Sequence, residues 1–491
     1  MKAELLEEPE LEFAAGRHID IRFGLMDYGP LGRLASSPLT EIKVGIIGTP
    51  ETVEGVCRWL DRCRQPIEAK KSRRPNLFPH FPGFSRESEW DCSLVFDPTL
   101  QRTVSTRDLA KLASRPPSPE VVEDAVELFL NECGELSDKA VAQVFVCAPP
   151  MDLLDQLDRH EEDAEDDPER PVAPVWKRRP SSRPIRRPQF HDFLKARGMR
   201  LGQPLQMVRP GTYDPSKRPK QKVRRDRIRV LQDDATRAWN FHTALYYKAG
   251  APLWRLVTDR TQLSACFVGV SFYRAADESV LMTSMAQVFN ERGDGVVVRG
   301  GQVVPDKDDR QPHLDREGAA KLLRSALAIY RSEHKTLPAR IVMHKTSSFS
   351  SAELDGFHEA AEAERVGSMD LIWISESDAK LFRPAVYPPL RGTWWQLDPK
   401  TNVLYTRGSV HLYSAYPGLY IPRPLRLQLE DVEQSARGLA EEVMALTKMN
   451  WNNTQFDNRD PITIRAARRV GSILKHIPEG GFLRPRYAHY M

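Results

Sequence analysis

Between Gln189 and Met207 the chain reads QFHDFLKARGMRLGQPLQM. His191 and Lys195 are four residues apart, so on a helix they stack one turn above the other on a single face. Phe190, Phe193 and Leu194 fall elsewhere and supply an apolar side that can bury. Gly198 and Gly202 stop the helix, and Gln206 follows on a short strand. An ammonium, an imidazole and an amide donor arriving from two adjacent elements make a clamp for a phosphate group, which wants charge-assisted donors. A lysine and a histidine alone also describe a solvated helix face; the surrounding chain has to decide between the two.

The chain's 491 residues leave room for two or three domains with real cores. An apolar content of 41% with 28% charged residues is a globular composition. No run approaches the ~18 apolar residues of a membrane-spanning helix. The acidic opening MKAELLEEPELEF lacks the apolar core of a signal peptide, so a cytoplasmic protein with no membrane partner is expected. The cysteines (Cys57, Cys63, Cys92, Cys133, Cys147 and Cys266) form no CxxC pair and no zinc-ligand spacing with histidine, which fits free thiols in a reducing compartment. Net charge is only +4, but Arg and Lys concentrate between Lys177 and Arg229, just after the acidic run Asp155 to Glu169. A basic segment of this kind suits a polyanion. The prolines from Pro180 to Pro188 equally suit a solvated linker.

Three regions follow from the patterning. Residues 1–40 hold few periodic apolar positions and read as an extended N-terminal arm. Residues 41–250 open with a buried strand, EIKVGIIG, a one-glycine turn and a helix, then a helix over Val121 to Cys133 and a second buried strand, AQVFVCA. That is a doubly wound, Rossmann-like α/β domain, interrupted by a charged linker at about 155–188 and a basic loop at 209–229. It has neither GxGxxG nor a Walker lysine. Residues 251–491 give strands over Ser264 to Tyr273, Val280 to Phe289 and Gly295 to Arg299, a helix over Leu314 to Glu333, then strand, helix and strand to Ser375. Three meandering strands followed by alternation is the order of an RNase H-like fold.

The sequence resembles a short prokaryotic Argonaute, built of MID and PIWI domains. The resemblance is carried, in order along the chain, by FGLMDYGPLG, KVGIIGTPET, HDFLKARGMRLGQPLQ, LYYKAGAPLWRL, VGVSFY, IVMHKTSSFS, RGSVHLYSAYPGLYIPRPLRL and LTKMNWNNTQFDNRDPITIRAARRVGSIL. It implies a MID domain over 41–250 and a PIWI domain over 251–491. It makes the opening stretch the pocket for a guide's 5′-phosphate, formed by His191, Lys195, Gln206 and, at the domain junction, Lys248. It further implies Mg²⁺ at the guide 5′ end, shared by Gln206 and the Met491 carboxylate.

Cleaving PIWI domains gather carboxylates around two metal ions. The matching positions here hold Ser271, Thr346 and Arg468, with Lys345 beside the second, so catalysis is expected to be absent. The family then implies a guide-RNA-binding subunit that senses a complementary single-stranded DNA target from a plasmid or phage. The basic loop, with Arg218, Lys220, Lys222, Arg224 and Arg225, would track nucleic-acid backbones. The output would lie on an APAZ-containing effector, a TIR, sirtuin-like or nuclease protein, with possible higher oligomers on activation and death or arrest of the infected cell. The N-terminal arm and the aromatic loop from Phe78 to Phe84 would serve as interface with it. The alternative is an autonomous guided nuclease with a relocated metal site drawn from Asp306, Asp308 or Asp309 and Asp457 or Asp460. His191 at the head of the pocket suggests phosphate binding that is pH-sensitive near neutrality.

Overall fold

The computed structural model of the chain describes residues 2–116, 118–139, 142–157, 189–217, 232–257, 265–275, 280–289, 295–306, 308–381, 388–418, 421–478 and 480–491. The linker at 158–188 and Arg218, Lys220, Lys222, Arg224 and Arg225 of the basic loop lie outside the described residues.

Two sheets organise the architecture. The first has five parallel strands: Ser93–Val95, Glu41–Gly48, Val144–Ala148 and Leu205–Met207 in that order, with Gln101–Thr103 also on Glu41–Gly48. Its central strands are apolar on both faces, as a parallel sheet covered by helices requires. Val44, Ile46, Val144 and Val146 share a core with Val53, Val56 and Leu60 of helix Pro50–Arg62. Ile47, Phe145 and Cys147 pack instead with Val121, Val122 and Phe129 of helix Pro119–Ser137. Pro at the first turn and a Thr49 or Ser118 cap start these two helices.

The second sheet has ten strands. Its centre is Ala265–Arg274, Arg340–Lys345 and Ser368–Glu376, all parallel, flanked by antiparallel strands on both sides, among them Leu281–Phe289, Gly295–Pro305 and Leu425–Asp431. Alternation along Ala265–Arg274 sends Val268, Val270 and Phe272 toward helices Arg316–His334 and Ser351–Ala363. Phe267 and Tyr273 go to the opposite core, with helices Ala436–Leu446 and Ile462–Leu474. Gly269 sits where Ile462–Leu474 crosses this strand, and a Cβ there would fall onto the Thr463 carbonyl oxygen. The fold class is therefore the one expected, a Rossmann-like sheet followed by an RNase H-like sheet.

The N-terminal region departs from the extended arm expected of it. Lys2–Leu5 is the edge strand of the ten-stranded sheet, pairing with Thr393–Gln396. Leu11–Glu12 pairs with both Arg17–His18 and Arg255–Leu256. Ile21–Tyr28 is a helix capped by Asp20. Leu6, Leu11, Phe13, Ile21 and Leu25 are core residues. Buried ion pairs fasten it: Glu8 bonds Lys448 and Arg391, and Asp20 accepts from the Tyr413 hydroxyl beside Arg22. The segment escaped pattern reading because each piece is too short for a period and joins a different partner. The aromatic loop also differs from expectation. Phe81 and Phe84 are buried against Trp239, Trp90 and His242, so these rings build the interior and leave Phe78 only half-buried.

Candidate nucleic-acid interface

Helix Phe190–Gly198 buries Phe190, Phe193 and Leu194 in the core beneath the first sheet, with Phe190 edge-on to Phe129. That packing fixes which way the polar face looks. His191 and Lys195 share this face, and neither is a freely solvated side chain. Lys195 is 2% exposed and donates to the Leu205 carbonyl at 3.1 Å. Lys248, in the last turn of helix Asp234–Lys248, is also 2% exposed and donates to Gln206 Oε1. Both ammonium groups thus converge on strand Leu205–Met207, each satisfied by a neutral oxygen. Among the described residues no carboxylate lies within 4.0 Å of either nitrogen. Gly202, at φ +87°, makes the left-handed turn that lets the chain leave the helix and enter this strand.

The structure adds two residues that pattern reading did not find. Arg469, from helix Ile462–Leu474, reaches across and places Nη1 2.9 Å from Asp192 Oδ1 and Nη2 2.6 Å from His191 Nδ1. Its Nε donates to the Tyr490 carbonyl at 3.1 Å. Asp192 is 1% exposed, and its Oδ1 also lies 3.0 Å from His191 Nδ1. The signals were present in the sequence: Asp192 directly follows His191, and Arg469 follows Arg468. Nothing local says that a helix near the C-terminus meets residue 191.

The electrostatics follow from burial and crowding. Burial and the neighbouring Lys248 and Arg469 hold the Lys195 pKa well below the usual ammonium value. Burial, then Arg469, lowers Lys248 to about 7. Burial and Arg469 push His191 down to about 4, so its ring is neutral and accepts from the guanidinium. Burial alone would raise Asp192, but Arg469 and His191 outweigh it and hold the carboxyl far below its ordinary range. His191 is thus moved away from neutrality, and the two lysines are moved toward it, Lys248 to about 7.

The last residues close one side of the site. Val297 N–H donates to the Pro485 carbonyl at 2.8 Å, Arg484 Nε to Met199 O at 3.0 Å, and Tyr490 Oη to Arg484 O at 3.0 Å. Tyr487, Ala488, His489, Tyr490 and Met491 are buried. Burial, Arg484 and Arg486 lower His489 to about 3, with Lys195 and Lys248 contributing. The donor set fits an anion first. Gln206 Oε1, expected as a Mg²⁺ ligand, accepts from Lys248, and a divalent ion without an accompanying anion would face three cations.

On the second sheet, Ser271 and Thr346 are buried neighbours: the Thr346 N–H donates to the Val270 carbonyl at 3.2 Å. His344 Nδ1 meets Thr463 Oγ1 at 2.8 Å on the same face, and burial with Arg340 lowers this histidine to about 3. Arg468 is ion-paired with Asp460. Lys345 follows His344 in the chain but does not share its face. It alternates to the other face, where its fully buried Nζ bonds Glu353 at 2.7 Å and the Ser348 carbonyl at 2.6 Å, between the rings of Phe272 and Phe349. Four of the five carboxylates considered for a relocated metal site, all but Asp308, have other partners. Asp306 accepts the backbone N–H groups of Asp308 and Asp309, Asp309 bonds His313, Asp457 bonds Arg407, and Asp460 pairs with Arg459 and Arg468. Among the described residues no three His, Cys, Asp or Glu side chains are grouped to hold a metal ion, and no helix is long and apolar enough to cross a membrane.

No protein-family model matches the sequence, and no curated protein matches it. Solved structures do match. The chain is similar to Clostridium butyricum Argonaute bound to a guide DNA and a 19-mer target DNA, with a TM-score of 0.64 and 14% identity over 98% of this chain and 54% of that one. It is also similar to Aa-Ago with externally bound siRNA (TM-score 0.55, 12% identity, 99% of this chain and 54% of that). Drosophila Piwi matches with a TM-score of 0.55 and 12% identity, over 96% of this chain and 54% of that. The fold is Argonaute-like, and the chain spans about half the length of these proteins.

Proposed function

We propose that this chain is a short Argonaute that binds the 5′-phosphorylated end of a guide RNA and uses the guide to sense a complementary single-stranded DNA target. The observation that carries the reading is the pair Lys195 and Lys248, two buried ammonium groups held by neutral oxygens with no carboxylate at contact distance among the described residues. Burying a charge without a counter-charge costs several kcal/mol. A terminal phosphate, carrying about −1.5 to −2 charges at pH 7, supplies the missing partner. Lys195, Lys248 and Arg469 would donate to it, and Gln206 and the partly exposed His191 would form the rim. Sequence reading would be left to base pairing between guide and target. The guide and target strands named with the Clostridium butyricum structure support the choice of nucleic-acid partners.

The guide-end Mg²⁺ belongs to this proposal. The Met491 carboxylate and Gln206 Oε1 are hard oxygen donors suited to it. It would enter only with the phosphate, whose charge offsets the lysines, and would supply a further counter-charge there.

Ser271, Thr346 and Arg468 at the positions of catalytic carboxylates support a binding protein that does not cleave. On this reading the chain is the sensing half of a prokaryotic defence pair. An APAZ-containing NADase or nuclease partner would respond to target binding, as a heterodimer or larger oligomer. Target recognition activates that partner only insofar as the guide–target duplex favours the active state over the inactive one. The autonomous nuclease is the rival. Incubation of the purified chain with guide, complementary target and Mg²⁺ or Mn²⁺ separates them: target retained intact is expected, and cleavage that disappears on Asp308→Ala would establish the rival.

A further inference from the structure

Asp192 is a side-chain carboxylate built in among the cations Lys195, Lys248 and Arg469. It is 1% exposed, with Oδ1 2.9 Å from Arg469 Nη1 and 3.0 Å from His191 Nδ1. A buried carboxylate at that position competes with any bound anion for the same guanidinium, which is an odd feature for a site that only needs affinity. Its effect is on charge. With both lysines charged, as a bound phosphate requires, and apart from the Mg²⁺ and the Met491 carboxylate, Lys195, Lys248 and Arg469 against Asp192 carry two positive charges, the amount that one phosphate monoester dianion cancels. Lys475 also faces Asp192, but it lies at the helix end, partly exposed, where solvent screens it.

We propose that Asp192 is a specificity-determining residue that matches the site to a 5′-monophosphate and disfavours 5′ ends of higher charge, such as a 5′-triphosphate. The inference rests on the phosphate-site reading above. A monophosphate cancels the charge of these four groups. Each additional phosphoryl group brings negative charge into a low-dielectric setting beside the Asp192 carboxylate, and like charge in a buried interface costs several kcal/mol.

The test measures the affinity of one RNA sequence with a 5′-hydroxyl, 5′-monophosphate or 5′-triphosphate end for the full chain and three variants. The wild type should prefer monophosphate to both others. Asp192→Asn, which keeps the side chain's shape, should reduce the monophosphate-over-triphosphate ratio about tenfold, the effect of one unit charge ~10 Å away at an effective dielectric constant of ~20. Arg469→Gln shifts the charge the other way and should widen that ratio; because it strands the buried Asp192 carboxylate it is read only where it folds, and Asp192→Asn carries the test otherwise. The double variant restores the net charge and should return the ratio toward wild type. A wild type that prefers monophosphate to hydroxyl, with a triphosphate ratio unmoved in the variants, overturns the role of Asp192 and leaves the phosphate site standing. A wild type indifferent to monophosphate and hydroxyl overturns both.

Discussion

Arg469 and Asp192 are 277 residues apart in the chain, and their side chains meet at 2.9 Å. Through this contact a helix packed on the RNase H-like sheet completes a site begun on the Rossmann-like one. Neither half carries the whole constellation.

The contact has an energetic consequence. Arg469→Met would leave a buried carboxylate uncompensated, so the variant should lose about 3–5 kcal/mol of folding stability in urea. Adding Asp192→Asn should recover a large part of it, because the stranded charge is then gone. Additive losses in the double variant would mean that the two side chains do not act as a pair.

Lys248 gives the pH response its sign. Its folded pKa of about 7 lies below the value of ~10.4 for an unfolded lysine, so between these limits the unfolded chain binds more protons. The Lys248 contribution to ligand-free stability should therefore rise as pH increases from about 7, by up to ~1.4 kcal/mol per pH unit, and is read as wild type minus Lys248→Met, because the buried thiols of Cys57, Cys63 and Cys92, raised to about 11 or 12, act in the opposite sense above about pH 8.5. Lys345 and Lys448, each lowered to about 8 chiefly by burial, add to the slope, so Lys248→Met should flatten it without abolishing it. Phosphate binding needs the charged form, so affinity for a 5′-phosphorylated strand should fall over the same range. Affinity constant from pH 7 to 9 would contradict this assignment.

Gly269 ties the two sheets' business together. An alanine there meets the Thr463 carbonyl and must push helix Ile462–Leu474 away from its strand. The cost should be about 1–3 kcal/mol of overpacking or more. Because Arg469 rides on the same helix, the variant should also bind a phosphorylated strand more weakly, although residue 269 touches none of the site. Normal affinity in a destabilised Gly269→Ala protein would show that the helix position and the site are uncoupled.

The Lys345–Glu353 pair is fully buried, and Glu353 also accepts from the Ser350 N–H at 2.9 Å and the Leu314 N–H at 2.8 Å. Lys345→Met should destabilise the chain by about 3–5 kcal/mol. Chemical denaturation checks it, and a loss below about 1 kcal/mol would mean that these two N–H groups and His313, 3.1 Å from Glu353, satisfy the carboxylate without Lys345.

What was legible in the sequence were the elements with a clear period or clear end signals. Helix Asp234–Lys248 has the limits its cap and its Ala-Gly-Ala-Pro stop imply, and the central strands lie where continuous apolar runs put them. His191, Lys195, Gln206 and Lys248 could be chosen as candidates because helix spacing and family motifs pick them out, and the fold brings them together. Their burial was not legible: a lysine on the polar face of an amphipathic helix looks solvated until the neighbouring strand is placed over it. Arg469 was invisible for a related reason. Its neighbour Arg468 is the residue that the family pattern sets at a metal-ligand position, and the contact of Arg469 with His191 exists only once both sheets are assembled. The short elements within residues 1–40 are not legible in the sequence, because strands of two to four residues carry no period.

The most direct measurement is the affinity of one RNA strand with and without its 5′-phosphate for wild type, Lys195→Ala and Lys248→Ala. The account predicts that wild type prefers the phosphorylated strand and that each lysine variant loses about 2–4 kcal/mol for it, the scale of a buried charge-assisted contact, while binding the hydroxyl strand nearly as before. Equal wild-type affinity for the two strands, or lysine variants that weaken both alike, would contradict it.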